Sequence, residues 1–142
     1  METTTVEIKT ETNTATKPTG KPKIAYFSME IGIDEHIPTY SGGLGILAGD
    51  TLKSCADLNV PIVGVTLLSE KGYFYQEIDM EGNQIELPYN FTINDFLKLL
   101  PCKTCVKIEG RDVNIRTWYY PVQGISGYIV PVFFLDTNVE GN

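Results

Sequence analysis

Basic residues, histidine and cysteine are all scarce in this chain, and each scarcity excludes a class of function. Eleven Lys and Arg face eighteen Asp and Glu, a formal net charge of -7. A footprint on phosphate backbones needs the opposite sign, so neither nucleic acid nor an anionic membrane is an expected partner. The single histidine, His36, lies far in sequence from the three cysteines, Cys55, Cys102 and Cys105. Cys102 and Cys105 therefore lack the second pair or the histidines of a zinc site, and also the helix start of a redox dithiol. They read as ordinary thiols flanking a turn before a strand, and no metal is expected. The odd cysteine count fits a reducing compartment rather than a disulfide framework. No stretch approaches the ~18 consecutive apolar residues of a membrane span, and Met1 to Lys23 carries no apolar signal region. The expected location is cytoplasmic, where the acceptor pattern Asn90-Phe91-Thr92 has no glycosylation machinery to act on it.

What is present is the composition of a globular domain: 142 residues, 42% hydrophobic, 11% aromatic and 20% charged. A chain of this length buries roughly 70% of its unfolded surface on folding. Residues 1–23 are Thr-rich, contain no aromatic residue and end in Lys17-Pro18-Thr19-Gly20-Lys21-Pro22-Lys23, the composition of a flexible tail. Order is expected from residue 24 to residue 142. Ile24 to Ser28 suits a buried strand, and a polar loop through Pro38 follows. Leu44, Leu47, Ala48, Leu52, Cys55 and Ala56 then recur at helical spacing, with Asp50, Lys53, Ser54 and Asp57 on the solvated side. Asn59 and Pro61 end that helix, and Pro61 to Leu68 reads as a strand buried on both faces.

A hairpin is expected next, Tyr73 to Ile78 and Gln84 to Leu87 around a turn at residues 79–83. A short helix over residues 93–100 and strands over 106–109, 113–120 and 128–135 complete the series. Strand, helix, strand is the α/β signature. A parallel sheet needs helices on both faces, and one strong helix for six or seven strands leaves the apolar run Ile129 to Leu135 without cover. That imbalance points to part of a larger protein.

The segment suited to chemistry is Tyr40-Ser41-Gly42-Gly43-Leu44-Gly45-Ile46-Leu47-Ala48-Gly49-Asp50. Unpaired amides at a helix start, backed by the helix dipole, attract anions, and glycine lets a phosphate or sugar approach the backbone. The same cluster also serves as a simple tight turn. A triphosphate loop is excluded, because Asp50 stands where its lysine belongs. A dinucleotide-binding domain is the weaker alternative: Gly43, Gly45 and Gly49, with Glu70 beyond the next strand, approximate its fingerprint. The motif should follow its strand directly, whereas a long loop containing Pro38 intervenes.

Four blocks carry a resemblance: Ile24-Ala25-Tyr26-Phe27-Ser28-Met29-Glu30, Pro38 through Asp50, Pro61-Ile62-Val63-Gly64-Val65, and Gly72-Tyr73-Phe74-Tyr75-Gln76. In this order they resemble the N-terminal region of the α-glucan (glycogen, maltodextrin) phosphorylases of the short bacterial and archaeal type. The likeness covers about residues 24–137. It implies an α/β fold, part of the first of two Rossmann-like domains of a GT-B glycosyltransferase, with a β-hairpin insertion and incomplete here. It implies transfer of glucosyl units from the non-reducing end of α-1,4-glucan to phosphate, giving α-D-glucose 1-phosphate. Pyridoxal phosphate is the implied cofactor, and none of the nine lysines lies in a sequence resembling its lysine motif.

The resemblance places Gly42, Gly43 and Leu44 on the phosphates and glucosyl unit and makes Glu30 the candidate acid of the glucosyl pocket. It places no catalytic residue on this chain. Asp34 and His36 read as a polar loop, and Tyr26, Tyr73 and Tyr75 as core or hairpin packing. The chain alone is therefore expected to be inactive, and an oligomer of the parent enzyme is among its expected partners. The alternative is a stand-alone, non-catalytic module binding glucan or sugar phosphate.

Overall fold

Ile24–Phe27 (β1) forms an edge strand, and its neighbour Ile62–Leu67 (β2) runs parallel to it with Tyr26 opposite Gly64. The computed structural model describes residues 21–71, 73–89 and 91–142. The Thr-rich stretch up to residue 20, Gly72 and the acceptor Asn90 lie outside them. Lys23 donates its amide to the Pro61 carbonyl (2.8 Å), which extends the β1 pairing by one residue.

Helix α1 (Gly43–Asp57) connects the two strands and buries Gly45, Ala48, Gly49, Leu52 and Ala56. Of the face its spacing predicts, Ala48, Leu52 and Ala56 are buried, whereas Leu44 and Leu47 at its start are exposed. It ends as Asn59 predicts: that residue takes φ 58°. The Asn59 amide reaches the Ala56 carbonyl (3.3 Å) and the Val60 amide the Cys55 carbonyl (2.9 Å). Both bonds of a Schellman cap are thus made, and the last carbonyls of the helix are satisfied.

The remaining elements are β3 (Phe74–Ile78), β4 (Gln84–Pro88), α2 (Ile93–Phe96), β5 (Lys98–Ile108), β6 (Arg111–Gln123) and β7 (Ile129–Asp136). The five-stranded sheet has the order β1-β2-β7-β6-β5, and β3 and β4 form a separate two-stranded ribbon. β1, β2 and β7 are parallel, whereas β6 and β5 are antiparallel. The fold is therefore α/β, as expected, with a sheet that mixes parallel and antiparallel strands. The physical reason is that the strands after the ribbon are joined by tight turns, which permit only antiparallel pairing. The turn at Glu109 and Gly110, both at positive φ, is one such link.

Two expectations need correction. The helix placed over residues 93–100 is a single turn, because β5 already begins at Lys98. Cys102 and Cys105 consequently lie within β5, not before it, as free exposed thiols. Pro101 also lies within β5. The register breaks between Leu99 and Lys103, and that bulge accommodates the proline.

The loop from Ser28 to Gly42 is not merely polar. Ile31, Ile33 and Ile37 are buried and join Leu52, Trp118, Val130, Val132 and Phe134 in the core. The Thr39 hydroxyl donates to the Ile31 carbonyl (2.8 Å), closing the loop on itself. α1 and this loop cover one face of the sheet. On the opposite face Phe27 is 73% and Leu67 59% exposed, beside a shallow apolar depression that Val65 and Leu135 also line.

Candidate functional site: an acidic, tyrosine-lined cleft beside the glycine loop

The glycine segment divides by what each position touches. A Cβ on Gly45 would stand 2.2 Å from the Tyr40 Cβ, and one on Gly49 2.0 Å from the Gly32 carbonyl oxygen. These two glycines, one helical turn apart, form a notch that receives the backbone of the preceding loop. The Gly32 amide donates into it, to the Gly45 carbonyl (2.8 Å). Gly42 and Gly43 differ, since a Cβ on either meets nothing within 4 Å. Gly42 is extended at φ -162°, a conformation open to any residue. Nothing inside the described residues requires glycine at these two positions.

Gly42 is the N-cap of α1, with no side-chain cap and no acidic residue in the first turn. Gly42, Gly43 and Leu44 are exposed. The first amides of a helix have no intrahelical acceptor, and here they face outward with the positive end of a 15-residue helix behind them.

Glu30 sits at the root of this loop. Its carboxylate accepts from the Ser41 hydroxyl (3.2 Å) and, more weakly, from the Ser41 amide (3.4 Å). The structure thus joins Glu30 to the start of the glycine segment through Ser41. Glu30 and Ser41 also line an open cleft of about 870 Å³, together with Glu35, Tyr40, Lys71 and the first residues of the β3–β4 ribbon. Gly42, Gly43 and Leu44 follow Ser41 without lining the cleft.

The aromatic wall of that cleft escaped the sequence reading. Tyr73, Tyr75 and Tyr89 line it. Tyr75 stacks on Tyr89 with centroids 5.5 Å apart and planes at 18°. Tyr26 does pack against the core, as expected. Tyr75 packs on Tyr89 at the end of the ribbon, in keeping with the hairpin packing expected, and it also lines the cleft. Burial, then the charge of Glu30, raises the pKa of Tyr73, and burial, then nearby Tyr75, Asp34 and Glu35, raises that of Tyr89.

Asp34 and His36 act structurally. Burial opposes the charge of Asp34, but hydrogen bonds from the His36 amide and ring and from Tyr120 outweigh it and hold its carboxyl below the ordinary range. Tyr120 donates from β6 at 3.2 Å. Asp50 and Lys53 are exposed on α1, the solvated side their spacing predicts. Among the described residues no group of His, Cys, Asp and Glu is placed to hold a metal ion, and no helix is long and apolar enough to cross a membrane.

Together these features define an α/β unit in which an uncapped glycine-rich helix start adjoins an acidic, tyrosine-lined cleft. No protein-family profile matches the chain. It is 39% identical over 132 residues to the maltodextrin phosphorylase of Thermococcus litoralis, covering 88% of this chain and 15% of that protein. It is 56% identical over 69 residues to the glycogen phosphorylase of Mycobacterium tuberculosis, or 49% of this chain and 8% of that protein. It is 33% identical over 130 residues to the glycogen phosphorylase of Aquifex aeolicus, or 87% and 18%. By sequence the chain belongs to the glycogen and maltodextrin phosphorylase family, and it spans less than a fifth of the length of each of these relatives.

Proposed function

We propose that this chain forms the glycine-loop wall of the glucosyl-transfer site of an α-glucan phosphorylase. In that reaction the bond from C1 of the terminal glucosyl unit to the glucan oxygen breaks. A bond from C1 to a phosphate oxygen forms, with retention, and α-D-glucose 1-phosphate leaves. The observation that supports the assignment best is that Gly42 and Gly43 have open space where a side chain would stand. Glycine there serves something outside the described residues. Fixed amide dipoles at Gly43 and Leu44 stabilise charge on a phosphate without reorganising during transfer. The α/β sheet with its ribbon insertion is taken as part of the first Rossmann-like domain of a two-domain glycosyltransferase, with residues 24–142 inside it.

The residues described here do not fit the pyridoxal phosphate that the family resemblance implies. A lysine that forms a Schiff base sits in a desolvated pocket or beside another cation. Every described lysine is exposed, and Lys71, the one that lines the cleft, shares it with Glu30 and Glu35. What this chain contributes is binding and orientation.

The purified chain supplied with pyridoxal phosphate, glucan and phosphate is expected to release no sustained glucose 1-phosphate. Adding α-D-glucose 1-phosphate is expected to shift the amide resonances of Gly43 and Leu44, and Gly43→Val to abolish those shifts. Unmoved amides at saturating ligand would overturn the loop assignment, and sustained turnover would overturn the restricted role.

A further inference from the structure

We infer that the tyrosine-walled cleft is a subsite for neutral glucan, separate from the phosphate position at the glycine loop, with Tyr75 as the platform on which a glucosyl ring stacks. The inference rests on the reading of the preceding subsection and adds a division of labour within it. Three observations carry it.

The first is charge. Glu30 and Glu35 against Lys71 leave the cleft formally at -1. A phosphate is an anion at neutral pH and is repelled by such a lining. Carboxylates only accept hydrogen bonds, and the hydroxyl groups of a sugar donate them without adding charge. The cleft therefore suits the neutral part of the substrate, while the acid-free helix start suits the anion.

The second is a braced aromatic surface. One face of Tyr75 rests on Tyr89, yet Tyr75 remains 57% exposed, which leaves its other face free. The Tyr89 hydroxyl donates to the His36 carbonyl (3.3 Å), and the His36 ring stacks on Phe96 (5.8 Å, planes at 8°). The platform is thus tied through Tyr89 to the loop before α1 and loses little freedom when a ring settles on it. The electron-rich face of a phenol attracts the C–H bonds on the face of a pyranose.

The third is size and lining. About 870 Å³ falls within the ~300–1,000 Å³ typical of ligand pockets. A protein segment is a poorer occupant, because the cores of protein interfaces are depleted in Glu and Lys and this lining is not.

The test uses the whole chain, with maltopentaose and inorganic phosphate as separate probes followed by NMR. Maltopentaose is expected to move the signals of Tyr75, Gln76 and Tyr89, and phosphate those of Gly43 and Leu44. Tyr75→Ala is expected to weaken maltopentaose binding about ten-fold, the upper end of what one ring contact contributes, and to leave the phosphate shifts unchanged. Tyr75→Trp, which keeps a stacking face, is expected to restore the affinity, an outcome a merely structural role of Tyr75 does not give. Maltopentaose binding that ignores Tyr75→Ala, or that maps elsewhere, overturns the subsite and leaves the glycine-loop reading standing. Phosphate binding at the loop without any glucan binding does the same. Silence towards both probes overturns both readings.

Discussion

At Gly49 and Gly32 two backbones meet with no room for a methyl group. A Cβ on Gly49 would lie 2.0 Å from the Gly32 oxygen and 2.7 Å from its carbonyl carbon, and neither atom can swing aside as a side chain does. Gly49→Ala must therefore push the loop off the helix, and it is expected to cost ~1–3 kcal/mol, the range for overpacking a well-filled site. Gly43→Ala meets open space, and its effect on stability is expected within about 0.5 kcal/mol of zero. Urea unfolding of the two variants, at unchanged slope, tests the contrast, and equal midpoints would refute the division of the glycines. That a glycine cluster precedes the helix is plain in the sequence. Which glycines serve packing and which face outward is not, because the partner of Gly49 is a backbone carbonyl some seventeen residues earlier in the chain. The aromatic platform was hidden for a similar reason: Tyr75 alternates like any ribbon residue, and only the placement of Tyr89 turns it into one wall of a cleft.

The elements with simple periodicity, α1, β2, the β3–β4 ribbon and β7, were legible to within a residue or two. The loop before α1 and strand β5 were not. In Ile31-Gly32-Ile33-Asp34-Glu35-His36-Ile37 the apolar residues follow neither a period of two nor one of 3.6, and the acids between them mimic a solvated loop. The loop is nonetheless fastened to the sheet, through the bond from Tyr120 of β6 to Asp34. Burial, followed by the charge of Asp34 and the bond to it, pushes Tyr120 up to about 12. A raised folded-state pKa contributes stability that is whole below the ordinary value of 10.0 and is lost as pH rises through about 12. Asp34 works in the opposite sense: its depressed pKa contributes stability above the ordinary 3.8 that is lost as pH falls through the lower folded value. Tyr120→Phe removes a donor, so the carboxyl of Asp34 is expected to titrate closer to its ordinary range, and the tyrosine absorbance step near 12 is expected to vanish. Carboxyl carbon shifts followed against pH check the first. An unmoved Asp34 would show that the bond does not hold the loop.

On the scale of the molecule, α1 and the loop before it cover one face of the sheet, and among the described residues the other face is open at its β1–β2 end. α1 and the isoleucine loop pack against Trp118, Val130, Val132 and Phe134. The alternate residues of the parallel strands, Phe27 opposite Val65 and Leu67 opposite Leu135, present the other face to water. Parallel strands are stable when both faces are covered, and contiguous exposed apolar surface drives association. The chain is therefore expected to self-associate as its concentration rises, seen as a growing mean sedimentation coefficient. Phe27→Ser with Leu67→Ser is expected to return it to the monomer, since both side chains are largely exposed and carry little of the core. The ribbon is a second apolar surface, and Ile78→Ser, on a side chain 78% exposed, separates the two. If Ile78→Ser alone abolishes association, the ribbon is the sticky element and the bare sheet face is not. If only the sheet-face pair does so, the face beside β1 and β2 is the surface on which the remainder of a longer phosphorylase would have to pack.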